Sequence, residues 1–211
     1  MNSETWNNLR VLSSDLKGII NEFKSFLPDK NIPDSVEEFY NLYKNDWEMA
    51  IDNSRLDVIN YLIEINEIDL NEALSYAISN GCYDVVKCLF KTKADVTFKN
   101  NTAIPHAVMG GYINIVDFLL YNVDGNGNKA DPTTNIYFAI RTACEENKLE
   151  IVNLLDEYFR CKIQDNYPQE TFEQITDRKN KLYQEIYEQA HQAKKLCTVK
   201  FQKHFNLIPI N

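Results

Sequence analysis

Four stretches of this chain superpose on one another without gaps over fourteen positions, and that internal repeat constrains the fold more than any other feature. They cover residues 50–63, 77–90, 107–120 and 143–156. Each opens on an alanine, Ala50, Ala77, Ala107 or Ala143. Eight and nine positions later stand Val58 and Ile59, Val85 and Val86, Ile115 and Val116, Ile151 and Val152; twelve positions later stands Leu62, Leu89, Leu119 or Leu155. An alanine lets two backbones approach closely, and the β-branched pair with its leucine makes an apolar stripe of helical period, not the alternation of a strand. Between the two parts fall Ser54, Gly81, Gly111 and Asn147, at a place where a tight helix-to-helix turn asks for positive φ, which Gly and Asn tolerate. The predicted unit is therefore a short helix, a turn and a second helix. One such pair cannot bury both its faces, so successive pairs must stack.

This pattern, together with the run Thr102-Ala103-Ile104-Pro105-His106-Ala107, resembles the ankyrin repeat, whose helix pair reads roughly T-P-L-H-x-A-A-x-x-G-H-x-x-V-V-x-x-L-L and recurs about every 33 residues. Here the leading alanines are 27, 30 and 36 apart. The first interval looks too short for a full β-hairpin finger, and residues 121–134 contain an insertion. In the third unit Ala103 replaces the family's Pro and Pro105 its His, which leaves His106 one place beyond. The fourth unit, Phe138-Ala139-Ile140-Arg141-Thr142-Ala143-Cys144-Glu145-Glu146-Asn147, resembles a variant abundant in ankyrin arrays of giant DNA viruses of amoebae, and the Asn- and Ile-rich composition agrees with such a source.

The resemblance covers residues 46–163 and implies an all-α, ankyrin-type helical-hairpin solenoid that works as a non-catalytic protein-interaction module without a cofactor. It also implies a concave binding row, formed by the two residues before each turn: Asp52 and Asn53, Ser79 and Asn80, Met109 and Gly110, Glu145 and Glu146. Three carboxylates in that row favour a partner protein with a basic segment, and the flexible, polarizable Met109 is its expected apolar anchor.

The flanks are also patterned. Trp6, Leu9, Leu12, Leu16, Ile19, Ile20, Phe23 and Phe26 give residues 5–27 one apolar helical face; Pro28 and Pro33 then break the chain, and Ser35 with Glu38 has capping-box spacing ahead of Phe39, Tyr40, Tyr43 and Trp47. After Pro168, residues 169–205 carry Phe172, Ile175, Leu182, Ile186, Ala190, Ala193 and Cys197, with a gap at Lys179, and read as one long amphipathic helix. The ends of a solenoid need covering, so residues 1–45 and 164–211 are expected to cap the stack. The alternatives are that a flank is itself the binding element, that these helices mediate self-association, or that one flank houses an enzyme site.

Composition narrows the function classes. The 211 residues carry a net charge of −9, of which residues 47–163 contribute −7, a balance that speaks against a general nucleic-acid binder. Cys82, Cys88, Cys144, Cys161 and Cys197 are odd in number and sit in helical patterns, as free thiols of a reducing compartment do. No apolar run is long enough to span a membrane and the first residues lack a secretory pattern, so a cytoplasmic protein is expected, in the host cell if its source is viral.

Catalytic and metal motifs are sparse. His106, His191 and His204 are not spaced with a second His or Cys as metal ligands are, and there is no CxxC, phosphate-cradling glycine loop or GxSxG. Asp124, Asn126 and Asn128 mimic the first ligands of a calcium loop, but Lys129 and Asn135 stand where a glycine and a bidentate glutamate belong. That stretch reads as a flexible insertion. Lys194, Lys195, Lys200 and Lys203, interleaved with Phe201 and Phe205, read as a solvated helix face.

Overall fold

A computed structural model describes residues 47–193 and 199–209. The expected helix over 5–27, the Ser35–Glu38 capping box and Lys194, Lys195 and Cys197 lie outside the described residues. Those residues contain no strand and form α1 (Trp47–Asp52), α2 (Leu56–Glu64), α3 (Leu70–Ser79), α4 (Tyr83–Leu89), α5 (Phe98–Asn101), α6 (Ala103–Gly110), α7 (Ile113–Tyr121), α8 (Thr134–Glu145), α9 (Leu149–Asn166), α10 (Phe172–Gln192) and α11 (Val199–His204). The chain divides into a unit over residues 1–68, which holds α1 and α2, and a unit over 69–211, which holds the rest.

The repeat register is that of the sequence alignment. Ala50, Ala77, Ala107 and Ala143, and Leu62, Leu89, Leu119 and Leu155, are all wholly buried, with the β-branched pairs beside them. Each turn has one geometry. Ser54, Gly81, Gly111 and Asn147 are left-handed. The next amide, of Arg55, Cys82, Tyr112 or Lys148, donates back to the carbonyl of the leading alanine at 2.8–2.9 Å. This is the bonding by which a left-handed residue closes a helix, and it lets the second helix start at once.

Within the second unit α3 packs on α6 and α6 on α8, while α4 packs on α7 and α7 on α9. The first helices thus form one row and the second helices another. The connections between pairs are turns. Asp95 Oδ1 accepts bonds from the Thr97 amide and hydroxyl at 2.8 and 2.7 Å, and Asp131 repeats the arrangement with Thr133 at the same distances. Left-handed residues follow both turns, Lys99, Asn100 and Asn101 in one and Asn135 and Tyr137 in the other. Arg141, at the place of the family's His, is buried and donates to the Asn135 carbonyl at 3.0 Å, which ties down the second of these.

The insertion is not a loose loop. Asp124 is buried, and its carboxylate accepts the amides of Val96 (3.0 Å), Asn126 (2.8 Å) and Asn128 (2.8 Å). The Asn126 amide group donates to the Lys93 and Ala94 carbonyls, and that of Asn128 to Asp95. Gly125 is required there, because a Cβ would fall 1.8 Å from the Thr92 oxygen. The expectation of a flexible insertion is corrected: this carboxylate organises the loop and ties it to the preceding connection.

The run over 169–205 also differs from the expected single helix. α10 ends at Gln192 and α11 is a separate helix; both pack on α8, and α10 packs on α9 as well. Thr171 and Gln174 start α10 with a reciprocal capping box. Its buried face is Ile175, Tyr183, Ile186, Tyr187 and Ala190, whereas Phe172 is 71% exposed. The two tyrosines belong to the stripe and Phe172 does not.

Candidate interaction surface

Each proposed row residue stands at the C-terminal end of a first helix, where the last carbonyls lack helical partners. The polar members of the row meet that need locally. Asn53 Nδ2 donates to the Met49 carbonyl at 2.7 Å. In the second unit Asn80 Nδ2 donates to the Tyr76 carbonyl at 3.0 Å, and the Ser79 hydroxyl to the Ser75 carbonyl at 2.9 Å. In α6 and α8 a lysine from further along the chain takes over. Lys148 Nζ donates to the Val108 and Met109 carbonyls at 2.7 and 2.5 Å and pairs with the Glu146 carboxylate. Lys200 Nζ donates to the Glu145 carbonyl at 2.6 Å. Cations favour helix C-termini for the same reason.

The row residues therefore differ in what they can offer. Asp52, Asn53, Ser79, Asn80, Met109, Gly110 and Glu146 are exposed and Glu145 is half-buried. Gly110 has no side chain to present, and the Tyr112 ring fills the space, 2.1 Å from where a Cβ would stand; the same ring covers Gly81. Met109 is 52% exposed, an apolar side chain at the surface next to the wholly buried Val108. Beside it His106 is half-buried, with Nδ1 3.3 Å from the Ser79 hydroxyl. Burial, aided by the Lys99 charge, holds its pKa below the usual histidine value.

Lys148 and Tyr112 were not singled out by the sequence pattern, which read Lys200 only as part of a solvated helix face and Asp124 only as a partial calcium-loop match. A faint signal existed for two of them: Arg55, Cys82, Tyr112 and Lys148 share one alignment position and have nothing else in common.

Elsewhere the chemistry is thin. Among the described residues no three His, Cys, Asp or Glu gather as metal ligands, and Cys161 is a free thiol. An open cleft of ≈ 360 Å³ lies at the turns of the last two pairs, lined by Gly111, Ile113, Asn147, Lys148, Leu149 and Glu150 among others. Its lysine is already bonded to two carbonyls and Glu146, and the lining contains no nucleophile with an adjacent base.

A family model for ankyrin repeats, built of three copies, matches residues 47–131 and again 74–167. The chain belongs to the ankyrin repeat family. No curated protein and no solved structure matches it significantly. Ankyrin repeats are generally protein-interaction modules and typically non-catalytic. No helix among the described residues is long and apolar enough to cross a membrane.

Proposed function

We propose that this chain is an adaptor or effector that binds a partner protein along its concave row, without catalysing a reaction. The exposure of Met109 carries the reading: a large apolar side chain left at the surface, in a row where Ser79 and Asn80 are busy with their own helix carbonyls, is the natural anchor. The structure changes the weight of the charges. Glu146 is paired with Lys148, so within the second unit the attraction for a basic partner segment rests on Glu145. The fourth repeat's resemblance to those of giant-virus ankyrin proteins supports a viral source, with action in the host cytoplasm. Self-association through the flanks is the second reading, favoured by the exposure of Phe172 on α10.

The test is Met109→Ala combined with Glu145→Lys, leaving Glu146 to hold Lys148. Affinity for a partner identified by cross-linking at position 109 should fall at least about tenfold, the effect of losing one anchor residue, with helical content unchanged. Undiminished affinity would remove the row from the binding site.

A further inference from the structure

Residues 199–209 are held in the way a docked peptide is held. Phe201 is wholly buried, with its ring centroid 6.2 Å from that of Tyr183 and 5.0 Å from that of Phe205, and Phe205 lies tilted on Tyr183 at 4.0 Å. Leu207 is the second buried side chain. The Gln184 amide grips the backbone of Ile208 twice: its Nε2 donates to the carbonyl at 3.3 Å and its Oε1 accepts from the amide at 2.9 Å. Lys200 adds its bond to the Glu145 carbonyl at the end of α8. Everything else in the segment is exposed or half-buried, including Val199 at 61% and Ile208 at 72%. The array helices are built differently; α6 buries Ala103, Ile104, Pro105, Ala107 and Val108 within its eight residues. A few side-chain anchors with paired main-chain bonds are the pattern of peptide recognition, and a segment with so few buried contacts is among the first to open.

The receiving side is fixed without the segment. Tyr183, which both phenylalanines touch, is positioned by its hydroxyl bond to Asp156 Oδ1 at 2.8 Å, and Lys179 Nζ lies 2.8 Å from the other oxygen of that carboxylate.

We propose that the surface formed by α8 and α10 is a peptide-binding site, occupied in cis by residues 199–209. It takes in exchange a partner peptide of the same chemistry: a lysine followed at once by an aromatic residue, a second aromatic four positions after the first, and an aliphatic residue beyond. Its main-chain contact through Gln184 makes it tolerant of sequence at the position of Ile208. The site meets the concave row only at the Glu145 carbonyl, which Lys200 bonds, and uses neither the Met109 nor the Glu145 side chain, so its test by Phe201→Ala is separate from that of the row.

The experiment uses the full chain, the full chain with Phe201→Ala, and a fluorescent synthetic peptide of residues 199–209, read by anisotropy and circular dichroism. The Phe201→Ala chain, whose own segment has lost its anchor, should keep its helical content and bind the peptide at least about tenfold more tightly than the unsubstituted chain, whose site is taken. Phe201→Ala in the peptide should abolish that binding, and Gln184→Ala in the Phe201→Ala chain should weaken it. Equal affinity for both chains, no binding to a folded Phe201→Ala chain, or collapse of the helical array in that chain would each overturn the proposal, the last by making the segment part of the core.

Discussion

The third and fourth repeats begin alike and end differently. The third closes on Leu120, which is wholly buried. The fourth has Asp156 at the same alignment position, and this carboxylate accepts from the Tyr183 hydroxyl and holds Lys179 of α10. The second helix also changes, from the nine residues of α7 to the eighteen of α9. Its extra turns bring Tyr158 and Phe159 against Tyr121 and Tyr137. A repeat that meets another repeat uses apolar surfaces of one kind, because each presents the same face to the next. A repeat that meets a cap needs only one partner, and polar bonds that single it out become possible. Burial and the Asp156 charge raise the Tyr183 pKa well above the usual tyrosine range, which keeps the hydroxyl a donor at any physiological pH.

The largest effect should come from the regular side of this comparison. Leu119→Ala removes a wholly buried side chain and should cost about 2–5 kcal/mol in chemical denaturation; a loss below about 0.5 kcal/mol would mean that the repeat register is wrong. The polar side should be intermediate. Asp156→Leu, which copies the third repeat, leaves the Tyr183 hydroxyl buried without its acceptor and should cost about 1–3 kcal/mol. Adding Tyr183→Phe and Lys179→Met makes both surfaces apolar and should recover most of that loss. If the triple variant is no more stable than Asp156→Leu alone, the contact is not a replaceable polar version of the repeat interface.

The smallest effect lies one residue further on. The bonds from Arg160 depress the Glu157 pKa from 4.5 to about 2. A depressed carboxyl pKa stabilises the fold above its unfolded value and loses that contribution as pH falls from 4.5 towards 2. Solvent screens this exposed pair, so Glu157→Gln should change stability at neutral pH by at most a few tenths of a kcal/mol. A pH titration in which the parent is far more stable than the variant above pH 4.5 and loses that advantage as pH falls towards 2 would show that the pair bears more of the α9 platform than its exposure suggests.

The sequence by itself determined the repeat. Small Ala, β-branched pair, Leu and a turn residue fit for positive φ are local requirements of one helix pair, and stacking imposes them again on each pair, so they recur at fixed offsets and can be read without coordinates. The concave row was placed on the helix ends by the same register, but not what its members do there. Asn80 bends back to its own helix, Lys148 reaches the end of α6 from beyond the next turn, and Tyr112 fills the space above Gly110. Nor did spacing reveal Asp124 as the organiser of its loop, the tyrosines on the buried face of α10, or the return of residues 199–209 onto α8 and α10. These features occur once, and each joins groups brought together only when the pairs stack and the end of the array is closed. A contact with no repeat leaves no period in the sequence, and so it was the tertiary structure that decided it.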